Sequence, residues 1–367
     1  MGTIKQNYSN NILTDGKFDA TDLTGTIPSG NISGSTVQTI AGDPPAPADG
    51  QIWYNSVAQA LKARVLVAGS ASWAVGGNMN SARSSYSNSG AGTQASALIF
   101  GGAAPGSTSA NSEEYNGTSW TEGNNLGTAR QWVGGVGTQT SALAIKGQAA
   151  FNPQPDTNAV EAYDGTTWTS NPSANKAVRI TANFGTSGSA VAATGVNAPD
   201  GQGGNGTQTE EWNGSTWSNG NTTNTGGQGR AAAAAAPESA GVIFLGNGPA
   251  VITGTEEYNG TTWTSVNPAS TGRRYLSGWG TQTACLAYGG RDGPGSLSAS
   301  HVEEYDGTSW TSGTAAPVAR EQQGTATSGT STSGLSAGGQ DISSAVTTTL
   351  EYTVSSPAYE NQTISTS

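Results

Sequence analysis

One phrase recurs along the chain and sets what it can become. Glu113–Trp120 reads EEYNGTSW, and close variants end at Trp168, Trp217, Trp263 and Trp310, at steps of 48, 49, 46 and 47 residues. Trp73 lies 47 residues before Trp120 and extends the series to six. An arginine follows each tryptophan by ten to thirteen residues: Arg83, Arg130, Arg179, Arg230, Arg273 and Arg320. Next comes a GTQ or GTS turn, at Gly92, Gly137, Gly185, Gly280 and Gly329, replaced once by Pro237-Glu238-Ser239. An uncharged apolar run ending in glycine follows, as in Ala97–Gly102 and Cys285–Gly290. A fixed period of this length is the mark of a repeat architecture. Each period holds four strand-sized pieces, a to d: after the arginine, the apolar run, the Glu-Glu-Tyr run, and the tryptophan. Asn-Gly or Asp-Gly between c and d is a strong hairpin signal. The b piece carries no charge on either face, as a strand covered on both sides requires.

The ends of the series complement one another. The last period has Arg320, a b run to Gly339 and Leu350-Glu351-Tyr352, but no tryptophan after it. The first tryptophan, Trp73, has no a and b pieces before it. The expectation is that the Trp73 strand completes the sheet begun at Arg320, which removes open strand edges that would template aggregation. Six four-stranded sheets whose neighbours cover each other's faces make an all-β, six-bladed β-propeller, spanning residues 65–354.

Composition narrows the function classes. The net charge is −11 and only 11% of residues are charged. Such a surface does not attract phosphate backbones, so nucleic-acid binding is not expected. No apolar run is long enough for a spanning helix, so no membrane insertion is expected. A single cysteine, Cys285, and a single histidine, His301, exclude disulfide frameworks, Cys/His zinc sites and Cys-His or Ser-His-Asp chemistry unless His301 is suitably placed. No metal and no cofactor are expected. Residues 1–11 (MGTIKQNYSNN) have no apolar core, so no secretory signal is expected.

The doubled glycine after strand b (Gly101-Gly102, Gly289-Gly290, Gly338-Gly339), the strand c tyrosine and the strand d tryptophan resemble the kelch repeat. Lys146 before a single Gly147 and Trp212 in place of tyrosine depart from it. The family hosts several activities, so the resemblance implies a fold rather than a reaction. Segments such as AGTQASALIFGG resemble propeller-bearing structural proteins of marine bacteriophages. Asp49–Arg64 (DGQIWYNSVAQALKAR) resembles a segment of phage tail-fibre proteins and reads as a short hairpin, Ile52 to Asn55 with Leu61 to Arg64. Leu23–Thr36 (LTGTIPSGNISGST) resembles fibre-shaft pieces, which implies a homotrimer. The expected organisation is thus an extended attachment and oligomerisation segment with a Pro-rich linker (1–48), a hairpin (49–64), the propeller (65–354) and a polar C-terminal tail (355–367).

Candidate sites divide into repeated and unrepeated residues. Features present in every repeat are first of all architecture. The tryptophans are expected in blade packing, and each arginine is expected to pair with a strand c glutamate (Glu114, Glu161, Glu211, Glu257, Glu304 or Glu351) rather than to join a ring for an anion. Adjacent Glu-Glu side chains point to opposite faces, so they make no shared acid–base site, and no catalytic residue is expected. The sialidase Asp box is unmet, because Tyr115 stands where its aspartate would be. Asn116, Asn213 and Asn259 lie in sequons that the c–d turns explain by themselves. The b–c loops, by contrast, share no sequence, and binding residues tend to sit on variable loops of rigid scaffolds. Gln148–Val160, Val196–Thr209 and Arg291–Val302 carry the receptor-binding candidates Phe151, Asp156, Asp200, Arg291, Asp292 and His301. Together these readings and resemblances imply a non-enzymatic virion protein made in the host cytoplasm. It would be a tail-fibre or spike-like appendage held to other virion proteins through residues 1–64, with its propeller facing a host-surface polysaccharide. The alternatives are a lectin-like or scaffold propeller of a bacterial envelope, and a propeller glycan hydrolase.

Overall fold

The structure, a computed structural model, describes residues 38–364 except 85–88, 105, 151–154, 198–205, 234, 236, 249, 294–299 and 342. The fibre-shaft-like piece Leu23–Thr36 lies outside the described residues. The chain divides into two compact units, Ala71–Thr353 and a smaller one built from residues up to Ser70 together with Val354–Ser367.

The larger unit is all-β, of propeller type. Among the described residues it contains six four-stranded antiparallel sheets. Their a strands are Ala91–Thr93, Gly134–Thr138, Ala182–Gly185, Ala231–Ala233, Ser277–Thr281 and Gly324–Thr325. The b strands are Ser96–Phe100, Ser141–Gln148, Ala190–Ala193, Gly241–Phe244, Ala284–Tyr288 and Ser333–Ala337. The c strands are Ser112–Tyr115, Asp156–Tyr163, Thr209–Trp212, Thr255–Tyr258, Val302–Tyr305 and Thr349–Val354. The d strands of the first five sheets start at Trp120, Trp168, Trp217, Trp263 and Trp310, and the d strand of the sixth is Ala71–Val75, which carries Trp73. Trp73 packs on Tyr288 and Tyr352, with ring centroids 4.8 and 5.1 Å away, and donates its indole N–H to the Thr314 carbonyl at 2.9 Å. The b strands are buried almost throughout, and Lys146 is the one charged side chain among them.

The c–d hairpins are four-residue loops rather than the two-residue turns that Asn-Gly favours. Tyr115 faces Trp120 across the pair. Asn116 Oδ1 accepts the N–H groups of Thr118 and Ser119 at 3.0 and 2.9 Å, and only Gly117 enters the left-handed region, at φ 88°. Asp164 and Asp306 cap the same loop in their sheets. Those backbone N–H groups hold both carboxyls below the usual aspartate range.

Neighbouring sheets are joined by directed hydrogen bonds that the repeat spells out. The strand c tyrosine of one sheet donates its hydroxyl to the second strand c glutamate of the sheet before it: Tyr163 to Glu114, Tyr258 to Glu211, Tyr305 to Glu257 and Tyr352 to Glu304. Tyr115 of the first sheet donates in the same way to Glu351 of the last, at 2.5 Å. The strand d indoles follow the same direction. Trp263 donates to Thr209 and Trp310 to Thr255, both at 2.9 Å. Trp120 of the first sheet donates to Thr349 of the last at 2.8 Å. The turn glutamine adds a third stitch. Gln139 reaches the carbonyls of Ala97 and Tyr115, Gln282 those of Gly241 and Tyr258, and Gln94 that of Tyr352.

The junction between the second and third sheets lacks these partners, and the sequence departs there in concert. Ala162 replaces the second glutamate, and Trp212 replaces the tyrosine that would have needed it. Trp212 donates instead to the Ser187 carbonyl at 3.0 Å. Val160 replaces the strand c hydroxyl, and the buried Trp217 indole N–H is left without a partner.

The smaller unit is one sheet in the order Gln38–Ile40, Ile52–Asn55, Ala60–Val67, Ala358–Thr363. Ile52–Asn55 pairs antiparallel with Ala60–Val67, Ile52 opposite Ala63. Trp53 is its buried centre, and Asp43 ties Trp53, Asn55 and Lys62 together. Two expected boundaries change. Residues 355–367 are not simply a tail, because Ala358–Thr363 pairs with Lys62–Val67. Val65 belongs to this sheet rather than to the repeats. Alternation in AYENQT is polar on both faces, and only the backbone N–H and C=O groups of an edge strand call for it.

Two outcomes are expected. Val160→Thr gives the Trp217 indole an acceptor without changing volume, and should raise stability by about 1 kcal/mol, read as a thermal midpoint a few degrees higher. The tyrosine hydroxyls are pushed up, mainly by burial and then by the facing glutamate, Tyr115 to about 12. The unfolded chain releases these protons near pH 10 and the folded chain only later, so stability is fully present below pH 10 and falls as pH rises through about 12. Alkaline titration of unfolding should show this decline, and Tyr115→Phe should make it shallower.

Candidate functional site

The repeated arginines are structural, with a register shifted by one residue from expectation. In the first, fourth and fifth sheets the guanidinium meets the first glutamate of strand c, not the second, while in the second sheet Glu161 is the partner expected. Arg83 pairs with Glu113 at 2.7 Å, Arg230 with Glu256 at 2.7 Å and Arg273 with Glu303 at 2.6 Å. Arg130 pairs with Glu161 at 2.8 Å. All four pairs are buried. The reason is the pleat: consecutive side chains alternate faces, and the second glutamate (Glu114, Glu211, Glu257, Glu304, Glu351) looks across to the neighbouring tyrosine. Further donors complete the pairs. Arg83 bonds the carbonyls of Gly101 and Asn111, Arg273 those of Gly289 and His301. The carboxylates accept backbone N–H groups of the d–a loops, Asn80 on Glu113 and Ser270 on Glu303. Desolvation lowers the pKa of Arg130, Arg230 and Arg273, and the paired glutamate opposes it.

Two sheets break the pattern. In the third, Arg179 pairs with Asp156 of the sheet before it at 2.7 Å. The carboxylate left over, Glu210, takes the ammonium of Lys146 at 2.7 Å, with both side chains fully buried. Lys146 stands at the doubled-glycine position and keeps its left-handed backbone, φ 58°. In the sixth, Leu350 replaces the glutamate and Pro317, which has no N–H, replaces the loop donor. Arg320 bonds the Ala319 carbonyl at 3.1 Å.

Next to the arginine, five of the repeats share a backbone conformation but not a side chain. The second residue before strand a is left-handed in five sheets: Trp132, Ile180, Gly229, Tyr275 and Gln322, at φ 56 to 59°. A run of backbone bonds joins them. Ile180 N–H meets the Trp132 carbonyl (3.3 Å), Gly229 that of Ile180 (3.4 Å), Tyr275 that of Gly229 (3.0 Å) and Gln322 that of Tyr275 (2.8 Å). Left-handed backbone costs about 1–2 kcal/mol in residues other than glycine, and such strain gathers at functional sites.

The residue before each member of this row pairs with the residue after the strand b glycines: Gln131 with Gln148, Arg179 with Val196, Gln228 with Asn247, Arg274 with Arg291 and Glu321 with Gln340. These positions assemble an unrepeated polar and aromatic cluster, in which Gln131, Gln148, Ile180, Val196 and Glu321 are buried and Trp132, Arg274, Tyr275 and Arg291 are half-buried. The rings of Trp132 and Tyr275, three sheets apart in sequence, lie 5.4 Å apart at 40°. The Arg274 guanidinium sits 5.3 Å from the Tyr275 ring centroid and donates to Asn247 Oδ1 at 3.0 Å. Arg291 pairs with Glu321, which also accepts the Gln340 amide at 2.5 Å. Burial, with Glu321 adding to it and the three arginines 274, 291 and 179 opposing, keeps the Tyr275 hydroxyl above its ordinary pKa, so it stays a donor at neutral pH.

The six loop candidates fare differently. Arg291 belongs to this cluster. Asp156 is adjacent to it but lies in a strand, anchored to Arg179, because the second b–c hairpin pairs as far as Gln148 with Asp156. Asp292 carries charge near Arg273. His301 is exposed and contributes its carbonyl to Arg273. Phe151 and Asp200 lie outside the described residues. Trp132, Tyr275 and Arg274 were missed, although a signal was available: they lie one or two residues after an arginine that every repeat keeps. No group of three or more His, Cys, Asp or Glu that could hold a metal occurs among the described residues. Cys285 is buried and its thiol pushed well up, which makes it inert.

Lys146→Met leaves the Glu210 carboxylate buried without a cation and should cost about 3–5 kcal/mol. Adding Glu210→Gln should recover most of it, measured by denaturant unfolding of the two variants.

No protein-family model matches the chain, and no curated protein matches it. Among the solved structures, that of YjhT is similar, with a TM-score of 0.61 and 14% identity over 78% of this chain and 99% of YjhT. At that identity the likeness bears on the fold alone, which is of β-propeller type.

Proposed function

We propose that the six sheets are the blades of a closed six-bladed propeller whose unrepeated surface, around Trp132, Tyr275, Arg274 and Arg291, is a non-enzymatic glycan receptor site. Closure is supported by the d strand of the sixth sheet coming from Ala71–Val75, and by Tyr115, Trp120 and Gln94 bonding the last sheet as their counterparts bond the sheet before. In a closed ring the row of left-handed residues encircles the axis, and its side chains form one mouth. The observation that carries the binding reading is this mouth: one backbone geometry, repeated, presenting a different side chain each time. Half-buried aromatic rings beside amides and arginines suit sugar rings and hydroxyls.

The absence of catalysis rests on the fate of the carboxylates. In most glycoside hydrolase families, hydrolysis of a glycosidic bond needs two carboxyl groups flanking one bond. The strand c glutamates are engaged by arginines, a lysine or tyrosines. The mouth carboxylates Asp156 and Glu321 are each tied to an arginine. The chain is then a virion appendage of a bacteriophage, tail fibre or spike, attached to other virion proteins through residues 1–64. This rests on the sequence resemblances and on a charge-poor, thiol-poor β composition suited to work outside a cell. A glycan hydrolase and an envelope lectin are the competing readings.

The test joins three measurements. Antibody against the chain should label purified particles. The full chain should bind host-surface polysaccharide without releasing reducing ends. Trp132→Ala should lower that binding at least about tenfold, the scale of one lost stacking contact. Reducing-end release would establish a hydrolase, and absence from particles would remove the virion assignment.

A further inference from the structure

Most buried arginines in the repeats have their charge matched; Arg320, whose strand c position holds Leu350, has no ion pair among the described residues and bonds the Ala319 carbonyl. Arg83, Arg130, Arg230 and Arg273 face glutamates, and at the mouth Arg179 and Arg291 face Asp156 and Glu321. Arg274 differs. Among the described residues no carboxylate pairs with it. Its guanidinium is oriented by the neutral Asn247 Oδ1 and rests beside the Tyr275 ring, which in turn meets Trp132. A planar cation, oriented by that hydrogen bond and beside one ring of a tilted aromatic pair, offers two contacts to one ligand: a ring face for the apolar side of a sugar, and a forked donor for an oxyanion on it.

We infer that the mouth selects an anionic saccharide, stacked at Trp132–Tyr275 with its carboxylate or sulfate on Arg274. This deepens the glycan-binding reading and rests on it. The protein carries a net charge of −11, so an acidic polymer is repelled at long range. At physiological ionic strength the screening length is about 8 Å, which removes most of that repulsion while a contact ion pair persists. Selectivity for an acidic sugar thus depends on a local unmatched cation, and Arg274 is one.

The test uses the full chain and three probes of matched length: oligogalacturonate, a sulfated dextran fragment and a neutral malto-oligosaccharide, by calorimetry at two salt concentrations. The expected result is at least about tenfold tighter binding of an anionic probe than of the neutral one, the worth of one charge-assisted hydrogen bond. Which anionic probe binds distinguishes a uronate from a sulfate ester. Arg274→Gln should abolish the preference with an unchanged thermal midpoint, Arg274→Lys should retain part of it, and Trp132→Ala should weaken all saccharides alike. Equal affinity for neutral and anionic probes, or an undiminished preference in Arg274→Gln, overturns the inference while leaving glycan binding intact. Binding of no saccharide overturns both.

Discussion

The arginine–glutamate pair is the contact on which the rest depends. It is buried, so it must be complete: an arginine or a carboxylate alone in that position would cost several kcal/mol. Each guanidinium holds strand c through its glutamate and, in most sheets, the b–c loop through carbonyls. The same glutamate holds the d–a loop through backbone N–H groups. Three segments distant in sequence are thereby fixed at one point, and the chain leaves that point in a strained left-handed turn. The left-handed row around Trp132 and Tyr275 lies next to this anchor.

Where the anchor changes, the surrounding residues change with it. Lys146 supplies the cation for Glu210 when Arg179 turns to Asp156. Leu350 and Pro317 appear together in the sixth sheet, removing an acceptor and a donor at once. Ala162 and Trp212 do the same at the second junction. In the third sheet and at the second junction the paired changes keep buried polar groups matched, whereas in the sixth sheet the Arg320 guanidinium keeps a carbonyl partner but no carboxylate. Trp217 beside Val160 is the exception, with an indole N–H left unmatched.

This division of labour separates scaffold from surface. The second glutamate, the tyrosine, the tryptophan and the turn glutamine join sheet to sheet and are repeated because every junction poses the same hydrogen-bonding problem. The left-handed residues near the anchoring arginine share one backbone geometry and differ in side chain. Trp132, Arg274 and Tyr275 are therefore diverse in type but uniform in place.

The four-strand period, the Ile52–Asn55 hairpin and the architectural nature of the arginines were legible in the residues, because a repeat records a local pattern of strand, turn and charge. Which of two adjacent glutamates meets the arginine was not, since both alternations fit a strand and only the neighbouring sheet distinguishes the faces. Nor was the pairing of Ala358–Thr363, whose polar alternation carries no hydrophobic signal. The Trp132–Tyr275 cluster was hidden for the same reason. Its residues lie far apart along the chain, share no type, and come together only because five left-handed turns, each set by local backbone, are hydrogen-bonded to one another. The sequence alone determined the strands and the polar atoms each must satisfy; tertiary structure decided which partners satisfy them, because matching a buried donor requires a face that only the adjoining sheet provides.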